Sequence, residues 1–151
     1  MTQQIENIKS VRKYLLNLIA DLTPEQLNKT PEGFSNNIIW NLAHLMATQQ
    51  RICYLRAGLK PVVQEQYITP FIPGTKPEGF IDAAEIETLK SLFISVIDEL
   101  ETDYKKSFFP TFEEFTTRYG VTLTNIDDAI NFLPYHEGYH TGVIIELMKF
   151  V

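Results

Sequence analysis

The stretch Thr124-Asn-Ile-Asp-Asp-Ala-Ile-Asn-Phe-Leu-Pro-Tyr-His-Glu-Gly-Tyr-His-Thr-Gly-Val-Ile-Ile-Glu-Leu147 decides the fold. Thr124-Asn-Ile-Asp127 resembles a capping box, and the apolar positions that follow recur at three- and four-residue steps. Ala129, Leu133, His136, His140, Ile144 and Leu147 lie within about 80° of one another on a helical wheel. One long amphipathic helix is predicted, with two histidines in the middle of its core-facing stripe.

Three more helical patterns precede it. Ile5, Ile8, Leu15, Ile19 and Leu22 mark a first helix that Thr23-Pro24 stops near Asp21; Arg12 interrupts its stripe, with Val11 partly covering the gap. A second helix begins after Phe34 with Ser35 as N-cap, runs through Ile38, Leu42, Leu45 and Ile52, and ends at Gly58 and Pro61. A third opens at Asp82-Ala-Ala-Glu85 and carries Ile86, Leu89, Phe93, Val96 and Leu100. Residues 60–80 hold Pro61, Pro70, Pro73, Pro77, Gly74 and Gly79 and read as a long loop. Tyr67, Phe71, Ile72 and Phe80 make it too apolar for a free linker, so it packs on the body as a lid or binding loop. The aromatic-rich residues 107–123 fold over a bundle end, and Val121-Thr-Leu-Thr124 alternates like a strand but is too short to build a sheet. The expected fold is all-α, an up-down four-helix bundle in one domain spanning 1–151.

Composition narrows the function classes. The 151 residues carry a net charge of −6, with 44% hydrophobic and 21% charged side chains, ordinary for a soluble globular domain. No Lys/Arg-rich run is present, which argues against a nucleic-acid partner. No stretch approaches the ~18 apolar residues of a membrane span, and the N-terminus lacks the pattern of a signal peptide. Cys53 is the sole cysteine, so no intrachain disulfide forms; it reads as a small buried hydrophobe in a reducing compartment. The expected location is the cytoplasm.

The chemistry rests on three histidines. His136 and His140, at i and i+4, share a helix face and can aim at one point. His44 from the second helix would complete a tridentate nitrogen site with open positions, the arrangement of a catalytic metal. By periodicity His44 lies off the most apolar face, beside Asn37, Asn41, Thr48 and Arg51. That polar face either meets solvent or lines a cleft closed by the fourth helix. In the second case Asn41 and Thr48 lie within a turn of the metal and orient ligands or substrate. Neutral imidazole is the binding form, so metal binding is expected to weaken below pH ~6.5. The bland alternative is that His136 and His140 are core histidines bonded to backbone or to Tyr135 and Tyr139.

His136-Glu137-Gly138-Tyr139-His140 also spells H-E-x-x-H, the zinc motif of metalloproteases. The surroundings do not fit: Val143 and Glu146 stand where the extended motif needs Gly and His, and there is too little strand. What survives is a role for Glu137 as general base beside a metal-bound water, weighed against a solvated helix glutamate.

With these residues in view, the chain resembles the DinB-like superfamily, which includes YfiT-type metal-dependent hydrolases and bacillithiol or mycothiol S-transferases. The resemblance covers nearly the whole chain. It is carried by Trp40-Asn-Leu-Ala-His44-Leu, by the pair His136 and His140, and by Thr141-Gly142. It implies a four-helix bundle, often a homodimer, with a divalent metal, nickel or zinc, held by His44, His136 and His140. Val143 departs from the Gln found in many relatives, and Pro134 sits just before the pair. Two readings stay open. One is a metal-dependent hydrolase or low-molecular-weight thiol S-transferase acting on a small-molecule substrate, with an external thiol as possible cofactor. The other is a non-catalytic, stress-related binding module with a structural or vestigial metal site.

Overall fold

The computed structural model describes residues 2–151. Five α-helices run in the order α1 (Thr2–Leu18), α2 (Pro24–Asn28), α3 (Ile38–Gln49), α4 (Ala83–Lys105) and α5 (Ile126–Leu147). Two-residue strands β1 (Phe115–Thr116) and β2 (Thr122–Leu123) pair antiparallel between α4 and α5. The protein is thus mostly helical, and among the described residues no helix is long and apolar enough to cross a membrane.

The local chemistry accounts for the helix ends. Asp82 caps α4 by accepting from the Glu85 amide, as the sequence predicts. Asn125 caps α5 by accepting from the Asp128 amide, while the Asp128 carboxylate accepts from the backbone and hydroxyl of Thr124. The second predicted helix starts later than expected. Asn37, not Ser35, is its N-cap and accepts from the Trp40 amide at 2.9 Å. Helix α2 was not foreseen: Thr23-Pro24 ends α1's path but also begins a short helix, with a reciprocal capping box between Thr23 and Gln26.

Helices α1 and α3 each pack against both α4 and α5. Every residue from Asn37 through Gln50 is buried. Of the two readings of its polar face, solvent is thus ruled out, and Asn41 meets His140 of α5 as the cleft reading requires. The loop after α3 covers its outer side, so α3 is enclosed all round. Two 3₁₀ turns, Glu65–Tyr67 and Thr69–Phe71, shape that loop, and Ile68 and Phe71 sink into the core. The Trp40 indole N–H donates to the Pro70 carbonyl at 3.2 Å and pins the loop to the helix. Beyond Gln49 the chain passes through a π-helical turn, Gln50–Tyr54, and a 3₁₀ turn before Gly58 ends it in the left-handed region at φ 71°.

Arg12 is the main surprise in the core. It does not merely interrupt the α1 stripe but is fully buried. Its Nε and Nη2 donate to Oε1 of Glu137 at 3.1 and 2.7 Å, its Nη1 donates to the Phe93 carbonyl at 2.8 Å, and its guanidinium lies over the Phe93 ring. One charge pair thereby ties α1, α4 and α5 together.

Candidate metal centre

His44, His136 and His140 come together between α3 and α5. The ring centroids are 4.6 Å apart for His44 and His140, 4.6 Å for His136 and His140, and 5.2 Å for His44 and His136. One nitrogen from each ring lies within 4.8 Å of the others, a three-histidine group positioned to bind a metal ion. Bonds of about 2.1 Å place tetrahedral nitrogen ligands about 3.4 Å apart, so the rings need only small inward adjustments. All three side chains are buried.

The neighbours set the tautomers. The Phe71 carbonyl can only accept, so Nδ1 of His44, at 2.5 Å, carries the proton and Nε2 keeps its lone pair. Asn41 uses its Nδ2 on Asn36 Oδ1 and on the Asn37 carbonyl, which turns its Oδ1 toward His140. Nδ1 of His140 donates to that oxygen at 2.8 Å, again freeing Nε2. These are the outer-shell bonds that orient ligating imidazoles. The Thr48 hydroxyl stands 3.4 Å from His44 Nε2, on the free side of that ring. Trp40 stacks on His44 with centroids 4.8 Å apart and planes 9° from parallel. His136 differs, because its Nδ1 is buried without a hydrogen-bond partner. An orphaned imidazole nitrogen beside two unprotonated Nε2 atoms, one with only a long hydroxyl contact, fits a divalent cation better than a set of satisfied core histidines.

Burial also keeps these rings neutral. His136 is pushed down to about 3 by desolvation, then by His140, His44 and Arg12. His140 is pushed down to about 3 by desolvation, then by His44 and Arg118. His44 is lowered by desolvation, against the Phe71 carbonyl, with Arg51 and Arg118 adding to the effect. Proton competition with a metal therefore begins well below the pH ~6.5 of a free imidazole.

Sequence reasoning named Asn41 and Thr48 as neighbours, and both stand beside the rings. The Phe71 carbonyl was missed; a backbone group on a loop leaves no side-chain signature. Glu137 stands elsewhere. Its carboxylate is fully buried and bonded to Arg12, with burial raising its pKa and Arg12 opposing that rise. The role expected for it, general base beside a metal-bound water, gives way to that of counter-ion. One helical step of 100° past His136 aims the side chain at α1 rather than at α3. It is not a solvated glutamate either. Cys53 is buried and free, and desolvation pushes its thiol pKa up, as suits an inert packing residue.

A family model described as the DinB superfamily matches residues 7–144. The chain belongs to the DinB superfamily. The match runs from α1 almost to the end of α5 and contains all three histidines of the group. No curated protein matches this DinB-superfamily chain.

Proposed function

We propose that this protein is a metal-dependent enzyme on an up-down four-helix bundle, with His44, His136 and His140 as ligands to nickel or zinc. The observation that carries the reading is the pair of Nδ1 bonds, to the Phe71 carbonyl and to Asn41 Oδ1, which leaves Nε2 of both rings unprotonated inside a buried three-histidine cluster, that of His44 meeting only the Thr48 hydroxyl at 3.4 Å. Three neutral nitrogen donors leave a metal with its positive charge uncompensated and with room for an exogenous ligand. A metal held there would lower the pKa of a bound water or thiol.

The chain's own residues favour a thiol over a water as the activated group. Hydrolysis asks for a base to manage the water proton, and the expected base, Glu137, is committed to Arg12. Among the described residues no Asp, Glu or Cys joins the histidine cluster. A thiol bound to such a metal would release its proton to solvent at neutral pH, so it would need no base beside it. Thr48 can orient the incoming group by its hydroxyl, and Trp40 fixes the plane of His44. The favoured reading is therefore a low-molecular-weight thiol S-transferase acting on a small-molecule substrate, as a cytoplasmic homodimer.

The test is elemental analysis of protein from metal-replete cells, combined with a thiol-transfer assay on wild type and His140→Ala. Near-stoichiometric nickel or zinc in wild type, lost in the variant together with transfer, is expected. Equal metal content in both proteins rejects the ligand assignment. Metal loss with unchanged transfer rejects the chemistry.

A further inference from the structure

The chain holds four arginines, and they divide into two pairs. Arg12 is neutralised by Glu137, and Arg56 by Glu113 at 2.9 Å with Phe115 beneath it. Among the described residues no carboxylate lies within ion-pair distance of Arg51 or Arg118, in a chain with 19 acidic side chains.

Both unpaired arginines belong to the surroundings of the histidine cluster. His44, Thr48 and Arg51 follow at i, i+4 and i+7 along α3 and its π-helical extension, so Arg51 lies one turn beyond the hydroxyl that faces His44. Arg51 is half-buried, and π turns of this kind often mark functional positions. Arg118 is exposed at the tip of the β1–β2 hairpin. The adjoining Tyr119 ring lies 6.2 Å from Tyr139, whose ring lies 5.1 Å from His140.

A second cation beside a metal ion is costly unless an anion bridges them. Guanidinium groups match the two oxygens of a carboxylate or phosphate with paired N–H donors. We propose that Arg51 and Arg118 form an oxyanion seat beside the three-histidine site, so that the small molecule bound there carries a carboxylate or phosphate group. The inference deepens the metal-centre reading and rests on it for the position of the reacting group. The seat itself does not need the metal.

Two measurements test it. Cobalt-loaded protein is titrated with 3-mercaptopropionate and with 2-mercaptoethanol, which differ at one end by carboxylate against hydroxyl, and the sulfur-to-cobalt absorption band is followed. The acidic thiol is expected to bind on the order of 10-fold more tightly. That advantage should shrink with added salt and in Arg118→Met, and vanish in Arg51→Met/Arg118→Met. Separately, amide shifts of the metal-free protein are followed with succinate and with inorganic phosphate. Movements clustered at 48–51 and 117–119 are expected and should be absent in Arg118→Met, an exposed position whose change leaves the core intact; the stronger binder of the two identifies the oxyanion. Equal affinities for the two thiols, or an advantage that survives in the double variant, overturn the seat. If cobalt does not bind, the metal reading fails on its own, and the shift titration still decides the seat: unmoved amides overturn it.

Discussion

The Arg12–Glu137 pair and the three imidazoles are both buried polar clusters, both hang on α5, and His136 and Glu137 are adjacent in the chain. They differ in what is left over. Arg12 spends its donors on Glu137 and on the Phe93 carbonyl, two opposite charges cancel, and Oε2 of Glu137 is the one orphan. The histidines are uncharged, and two of them spend Nδ1 on neighbours while one nitrogen from each of the three rings lies within 4.8 Å of the others. The first cluster is closed and holds helices together. The second is open and asks for a ligand. Burial of a polar residue alone would not separate these roles; the count of unused donors and acceptors does.

The largest expected effect comes from opening the closed cluster. Glu137→Leu strands a buried guanidinium and should cost about 3–5 kcal/mol in denaturant unfolding. Arg12→Met/Glu137→Leu should recover most of that loss and still bind metal. If the double variant folds but loses metal, the two clusters are not separable as drawn.

Next is the support of the open cluster. Asn41→Ala removes the acceptor that orients His140 and should weaken metal affinity by about 10–100-fold, as loss of an outer-shell bond does. Competition against a chelator measures it. An unchanged affinity would mean that Asn41 packs without orienting.

A smaller effect is read in pH. In metal-free protein His136 and His140 titrate at about 3 when folded, against roughly 6.5 when unfolded. Between those values the unfolded chain binds more protons. Their contribution is therefore fully present above pH ~6.5 and is lost as pH falls toward 3, by up to about 1.4 kcal/mol per pH unit for each ring. Melting at pH 7 and pH 5 should show a shallower decline in His136→Asn/His140→Asn than in wild type. A parallel decline would place the titration elsewhere. The least effect belongs to the surface: Lys149→Ala removes an exposed pair with Glu146 and should change stability by less than about 1 kcal/mol.

The same contrast explains what could be read from sequence. The stripes on α1, α4 and α5 were legible because apolar periodicity reports burial against a core, and the Asp82 cap was legible because a short acceptor before a helical run has one main use. His136 and His140 stood out for the same reason, as polar residues in an apolar stripe. Arg12 carried that signal too. Its meaning depended on Glu137, 125 residues away, which no local pattern records. The enclosure of α3 was only half legible, since a polar face of Asn41, His44 and Thr48 suits solvent as well as a cleft, and the groups that settle it, His140 on α5 and the Phe71 carbonyl on the loop, lie far away in the chain. The alternation of Val121–Thr124 did mark β2, whereas β1 and α2 rest on few residues each, below the length at which periodicity speaks.

The Phe71 carbonyl joins two processes that are usually treated apart. It belongs to the loop between α3 and α4, yet it fixes the tautomer of His44. A cation that needs His44 in that tautomer stabilises the seated loop by mass action, and a seated loop raises the affinity for the cation by the same factor. Occupancy of the site is thereby written into the susceptibility of residues 60–80 to a protease. Loss of the ion would be felt first as a cut in a surface segment, before any helix unfolds.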